Sequence, residues 1–301
     1  MTEHPVPGPR PALDPDRPLL DVRGLTVRYP TSAGETTAVR DASLRIGTGE
    51  QVALVGESGS GKTSLAMAVA GFLGGSARMT AEVLGFDGAA LDRAPRTGVP
   101  RRTPGMAVVF QDAMTSLDPV WSVGSQLTTV IRGATGCGRR DAADRARAWL
   151  TRVGLTDTRR VLRSRPYELS GGMRQRAMLA LALACEPRLL IADEPTSALD
   201  ASLSRAVMEL LRDLAADTGT SLLIVSHDIR LCQEFADRIM VMYHGEIVDE
   251  GRSAELEAIA GHPYTRGLLR CVPDLEARHA HRLPTLDTVD TGADLVRSSV
   301  A

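Results

Sequence analysis

The segment Gly56-Glu57-Ser58-Gly59-Ser60-Gly61-Lys62-Thr63 holds the single lysine among the 35 basic residues of this chain. A sequence that uses arginine everywhere else keeps lysine where the wide guanidinium fork does not fit. A compact ammonium can sit between the terminal phosphates of a nucleotide. Gly56, Gly59 and Gly61 let the backbone come close to an anion, and the N–H groups of the loop and of the helix start that follows point at it. Thr63 then offers a hydroxyl to Mg²⁺, with Ser64 beside it. The chemistry these residues suit is the binding of a nucleoside triphosphate.

Two further groups could act on such a ligand. Asp193-Glu194 follows the apolar run Leu189-Leu-Ile-Ala192. A hard cation takes oxygen ligands, and water attacking a phosphoryl group needs a base. Asp193 is expected to hold Mg²⁺ through water, and Glu194 to orient and deprotonate the attacking water. Leu169-Ser170-Gly171-Gly172 opens an apolar stretch, which gives a second helix start with exposed N–H groups. Read without context, Tyr29 is a strand-edge packing residue and His227 a capping or satisfied histidine.

The surrounding pattern predicts the elements that position these groups. Gln51–Val55 reads as a short buried strand before the glycine loop, and Ser64–Ala70 as the helix after it. Leu19–Val27 and Val39–Ile46 alternate as strands of an antiparallel sheet, with an irregular turn from Tyr29 to Thr37 between them. The stretch from Gly85 to Pro104 reads as a loop, followed by a buried strand, Met106–Phe110. From Gln126 to Ala184 the pattern is helical, with Asp141–Val153 amphipathic and Met173–Leu183 almost wholly apolar. Strands return at Leu189–Ala192 and Ser221–Val225 around a helix, Ser202–Ala216, which implies parallel crossovers. A last strand pair, Ile239–Tyr243 and Glu246–Asp249, turns at His244-Gly245. Beyond His262 the periodicity weakens, and residues 1–18, rich in proline, and a tail from about 285 are expected to be disordered.

As a set, the glycine loop, the Leu-Ser-Gly-Gly segment, the acidic strand end and His227 resemble, in order and spacing, the ATPases of ATP-binding cassette (ABC) transporters. The resemblance covers about residues 19–260. It implies an α/β fold with a RecA-like P-loop NTPase core, an antiparallel β subdomain and a helical subdomain at about 112–186, leaving 261–301 as a short C-terminal extension. It also implies ATP and Mg²⁺ as ligands. Tyr29 corresponds to the aromatic that stacks on adenine. Gln111 corresponds to the glutamine that senses Mg²⁺ and the membrane subunits, and His227 to the switch histidine on the γ-phosphate. Ser170, Gly171 and Gly172 correspond to residues that contact the γ-phosphate held by a second ATPase subunit, identical or homologous. Ser197-Ala198-Leu199-Asp200 resembles the segment that links the two sites. Met173 stands where glutamine is commoner, a departure of little expected effect because the backbone and Ser170 bind phosphate.

Val109-Phe-Gln-Asp112, Met114-Thr-Ser-Leu-Asp-Pro119 and His262-Pro-Tyr-Thr-Arg-Gly-Leu-Leu269 are similar to segments of the oligopeptide, dipeptide and nickel importer ATPases. Ala113 and Asp118 stand where that branch often has proline and asparagine. The resemblance implies a peripheral ATPase on the cytoplasmic face of the cell membrane, working with two membrane-spanning permease subunits and, indirectly, an extracytoplasmic binding protein. Peptide is the expected cargo, with nickel or a metal chelate as the alternative. Only Cys271 lies beyond the His-Pro-Tyr-Thr segment, so no iron–sulfur cluster is expected.

Composition excludes other classes. The longest strongly apolar stretch, Ala177–Cys185, is far below the roughly 20 residues that span a bilayer. The N-terminus has no apolar signal-peptide core. Cys137, Cys185, Cys232 and Cys271 show no metal-ligand spacing and read as free thiols of a reducing compartment. A net charge of −2 gives no global attraction to nucleic acid. The arginines between Arg139 and Arg165 alternate with Asp141, Asp144 and Asp157 and lack aromatic platforms, which fits a solvated helix face. A soluble, non-transporting ABC protein acting on nucleic acid is the distant alternative. Such proteins generally carry two cassettes, or coiled-coil or zinc insertions, and this chain has neither.

Overall fold

The computed structural model describes residues 18–271, leaving out 33, 75, 92–102, 111–115 and 198. The proline-rich arm, the C-terminal tail, Gln111 and Ala198 therefore lie outside the described residues.

Two sheets organise the chain. The first is antiparallel: β1 (Leu20–Thr31) pairs with β2 (Gly34–Ile46), β4 (Arg78–Thr80) and β5 (Val83–Phe86), and β5 pairs with β6 (Ala89–Ala90). The second has the order β11-β10-β3-β9-β8-β7, built from β3 (Gln51–Val55), β7 (Met106–Val109), β8 (Leu189–Asp193), β9 (Ser221–Ser226), β10 (Arg238–Tyr243) and β11 (Glu246–Arg252). Its strands are parallel except β11, which closes one edge as a hairpin with β10.

The apolar runs of the central strands are continuous because both faces are covered. Successive side chains of a strand point to opposite faces. Accordingly Ala53 and Val55 join one core with Leu190, Ala192, Leu222 and Ile224, while Val52 and Leu54 join the other with Leu189, Ile191, Leu223 and Val225. Helix α1 (Lys62–Ala70) packs in the second core, between the two sheets. The first core continues into the helices α2 (Val123–Thr135), α3 (Arg139–Arg152), α4 (Thr158–Arg163) and α5 (Gly171–Leu183), with Leu127, Ile131, Ala146, Leu150 and Leu179 fully buried. The arginines of α3 pair with acids along its exposed side, Arg145 with Asp141 and Glu186, and Arg147 with Asp144. Helix α6 (Ala201–Thr218) connects β8 to β9, and α7 (Ile229–Phe235) connects β9 to β10.

Three local expectations change. The irregular turn expected from Tyr29 to Thr37 is the tip of a long hairpin, with Tyr29 opposite Thr36 and Thr31 opposite Gly34. Backbone pairing carries the strands outward although the alternation fades, because the tip is exposed on both faces. The expected loop from Gly85 begins instead as strand: β5 and β6 form a short hairpin around Asp87 and Gly88. A short helix, α8 (Leu256–Ile259), precedes His262, and past His262 the chain forms α9 (Pro263–Cys271) instead of losing its periodic structure, burying Tyr264, Leu268 and Leu269. Burial of those three residues, at about 1.5–3 kcal/mol per large apolar side chain, is a main contribution to holding this short helix against the core.

Candidate active site

Parallel strands present ligands at their carboxyl ends. Here the neighbouring strands β3, β9 and β8 end respectively in the glycine loop, in His227 and in the pair Asp193-Glu194. The register is tight: Val55 lies opposite Ser226, and Asp193 opposite Val225. The Glu194 N–H donates to the Val225 carbonyl at 2.9 Å, carrying the pairing one residue past β8.

The loop is wedged between the two sheets, and that placement dictates two of its glycines. A Cβ on Gly56 would lie 2.2 Å from the Met242 carbonyl oxygen, and one on Gly61 would lie 2.2 Å from the Ala38 carbonyl oxygen. Gly61 also has φ of +105°, a conformation that side chains oppose. Behind the loop, buried Lys62 donates from Nζ to the carbonyls of Gly56 and Glu57, both at 2.7 Å, and lies 3.5 Å from Ser60 Oγ. Burial pushes its pKa down, opposed by the nearby charges of Glu194, Asp193 and Glu57. The result is an ammonium on two neutral carbonyls, able to exchange them for a phosphate anion at little geometric cost.

Thr63 on α1 donates from Oγ1 to Asp193 Oδ1 at 3.1 Å. Asp193 is buried, which raises its pKa, and the Thr63 hydrogen bond lowers it in part. One hydroxyl and one carboxylate side by side suit Mg²⁺, which binds through one or two carboxylates together with substrate phosphates. Among the described residues no group of three or more His, Cys, Asp or Glu could cage a metal by itself.

Glu194 is a non-glycine residue at φ +49°, an uncommon conformation that turns its side chain out of the strand. Its Oε2 meets His227 Nδ1 at 2.8 Å. Glu194 is 12% and His227 61% exposed by side chain, so the carboxylate is sheltered while the imidazole reaches the open side.

The remaining candidates fall into two groups. Tyr29 is half-buried with its hydroxyl 3.4 Å from Ser64 Oγ, which ties the first sheet to the start of α1. Glu57 and Ser58 are exposed on the loop. Ser170 caps α5, accepting from the Met173 N–H at 3.3 Å, and Gly171 and Gly172 form its first turn. Gln175 of α5 donates to the Pro195 carbonyl just after the acid pair, which connects that helix to the end of β8. Asp200 caps α6 by accepting from the Leu203 N–H at 2.9 Å. These helix starts are separate from the cluster formed by the loop, Asp193, Glu194 and His227, and no hydrogen bond among the described residues joins Ser170 or Asp200 to it.

Sequence reasoning misses one contributor. Tyr264 of α9 is buried, and its Oη accepts the Glu57 N–H at 2.7 Å. The signal available was the i, i+4, i+5 spacing of Tyr264, Leu268 and Leu269 in a segment distinctive enough to suggest a branch of a family, but nine residues are too few for that spacing to announce a helix.

Comparisons with known proteins agree with this geometry. Residues 39–197 match the ABC transporter family model. A Brucella melitensis protein provisionally named a peptide import ATP-binding protein is 41% identical over 86% of this chain and 79% of its own length. The dipeptide transport ATP-binding protein of Haemophilus influenzae is 40% identical over 91% of this chain and 83% of its own length. Among solved structures, cbiO1 of Clostridium perfringens, part of the ABC transporter complex cbiONQ, superposes with a TM-score of 0.67 at 26% identity, covering 83% of this chain and 95% of that one. A dimeric ATP-binding cassette in a post-hydrolysis state with ADP and phosphate superposes at 0.64 and 26% identity, over 78% and 98% of the two chains.

Proposed function

This chain belongs to the ABC transporter ATPase family, and from that premise we propose that it is the ATP-hydrolysing subunit of a peptide importer, driving uptake of di- and oligopeptides through two separate membrane-spanning subunits. The chain binds and hydrolyses ATP, as its family does. The observation that carries the proposal is the convergence of Lys62, Thr63–Asp193 and Glu194–His227 at three adjacent strand ends, in a chain whose relatives are named for dipeptide and peptide import.

We assign roles as follows. Residues 56–64 cradle the phosphates, Tyr29 stacks on the adenine, and Lys62 leaves the Gly56 and Glu57 carbonyls for the β- and γ-phosphates. Thr63, Asp193 and Gln111 hold Mg²⁺, which when bound neutralises charge on the phosphate oxygens. Glu194 orients a water molecule and takes its proton as the water oxygen attacks the γ-phosphorus; the bond to the β-phosphate oxygen breaks and ADP leaves. His227 holds the Glu194 carboxylate and contacts the γ-phosphate. Ser170, Gly171 and Gly172 reach the nucleotide of a second ATPase subunit, and Asp200 lies at the seam between the two sites. In this reading residues 19–260 form the ATPase domain, with its helical subdomain at about 112–186, on the cytoplasmic face of the membrane. No described helix is long and apolar enough to cross a membrane.

ATP can drive transport only through its differential affinity for the closed and open states. The test is therefore ATP-dependent dimerisation of purified Glu194→Gln with Mg²⁺. Stable dimers that retain ATP, with hydrolysis lost, support the assignment. Full hydrolysis by that variant overturns the role of Glu194.

A further inference from the structure

The chain's last described helix reaches the phosphate loop through a single hydroxyl. The Gly56–Glu57 peptide is held from both ends: its carbonyl oxygen accepts Lys62 Nζ at 2.7 Å, and its N–H donates to Tyr264 Oη at 2.7 Å. Tyr264 is itself fixed. Its ring stacks on Tyr243, at the end of β10, with centroids 4.2 Å apart and planes at 30°, and its backbone N–H donates to His262 Nδ1 at 3.1 Å. Asp249 of β11 anchors the start of the segment by accepting the N–H groups of Gly261 at 3.1 Å and His262 at 3.0 Å, and it also accepts the Thr265 hydroxyl. At the far end Arg230 of α7, three residues past His227, pairs with Glu257 and donates to the Leu269 carbonyl at 3.4 Å. The segment thus touches the phosphate loop at one end and the helix that follows the γ-phosphate histidine at the other.

We propose that Tyr264 is a positioning residue of the nucleotide site, its hydroxyl fixing the Gly56–Glu57 peptide so that docking of residues 261–271 sets the affinity of the loop for ATP. The inference rests on the reading of residues 56–64 as the ATP phosphate loop. The physical step is orientation. The carbonyl that holds Lys62 belongs to the same planar unit as the N–H held by Tyr264, because a peptide bond does not twist. Freed at its N–H end, that plane can rotate, and the loop N–H groups that follow it lose the preset orientation towards the phosphates that makes binding inexpensive. The hydroxyl stays protonated throughout the working pH range, since burial pushes its pKa up to about 12.

Tyr264→Phe removes the hydroxyl and leaves the ring on Tyr243. A hydrogen bond of ordinary net strength corresponds to a loss of about fivefold to tenfold. For purified full-length chain, the ATP Kd and the KM for hydrolysis should both rise by that factor while kcat changes less than twofold; a merely structural defect lowers kcat through loss of active protein and leaves KM unchanged. Unchanged Kd and KM in folded Tyr264→Phe, with binding lost in Lys62→Ala, overturns the proposal and leaves the ATP site standing. Equal ATP affinity in native chain and Lys62→Ala overturns the ATP reading itself. Hydrogen exchange in the native, nucleotide-free chain gives a test independent of any variant. The Glu57 amide should exchange at least tenfold more slowly than the exposed Ser58 and Gly59 amides, and equal rates contradict the Tyr264 contact.

Discussion

Gly59 and Gly61 lie two residues apart in one loop, both with positive φ, of +84° and +105°, yet the structure gives them different reasons for being glycine. A Cβ on Gly59 meets nothing within 4 Å, whereas one on Gly61 meets the Ala38 carbonyl oxygen at 2.2 Å and Met242 Cε at 2.9 Å. Either alanine costs about 1–2 kcal/mol for the left-handed conformation and regains about 0.4–1 kcal/mol from the stiffer unfolded chain. Gly61→Ala must in addition displace the β2 backbone by most of an ångström, an overpacking cost of about 1–3 kcal/mol. The expected losses are about 1 kcal/mol for Gly59→Ala and about 3 kcal/mol for Gly61→Ala. With a urea m-value of about 3 kcal/mol per molar, the two midpoints should differ by about 0.7 M. Urea unfolding of the two variants without nucleotide, followed by circular dichroism, measures this directly. Equal midpoints would refute the claim that the loop is wedged against the first sheet.

Glu194→Gln should lower hydrolysis by about 10²–10⁴-fold, the usual contribution of a general base, with ATP binding retained in an equilibrium titration. Lys62→Ala should weaken ATP binding itself, read by the same titration, because the ammonium is the one buried cation at the loop among the described residues. Asp193→Asn should raise the melting temperature of the nucleotide-free chain at neutral pH. Burial raises the Asp193 pKa, so its charged form costs stability above that pKa, and the cost disappears as pH falls through it towards 3.8. The gain measured in thermal melts should therefore be full at pH 7 and vanish at acid pH; a gain that grows on acidification contradicts the sign.

Much of this site was legible because its chemistry is local in sequence. The loop from Gly56 to Thr63, the acid pair after Leu189–Ala192 and the histidine after Leu222–Val225 each follow a buried strand, and parallel pairing of β3, β9 and β8 carries all three to one edge. What could not be read depends on contacts far apart in the chain. Ala38 and Met242 flank the loop only because two sheets meet there, so nothing near Gly61 announces why it has no room for a methyl group. The hairpin from Tyr29 to Thr37 loses its alternation because its tip is exposed on both faces, although its backbone remains paired. Tyr264 lies 207 residues from its partner Glu57, in a helix of nine residues that is too short to be stable without tertiary packing.

The central claim is that ATP hydrolysis at Glu194 drives peptide uptake. Its most direct test is uptake of a labelled dipeptide and, in parallel, labelled Ni²⁺ with and without small chelators, in cells carrying either the native chain or Glu194→Gln. Loss of dipeptide uptake in the variant alone, with Ni²⁺ uptake unchanged, is the predicted result. Dipeptide uptake that persists while Ni²⁺ uptake is lost would contradict the peptide assignment, and persistence of both would contradict the importer assignment.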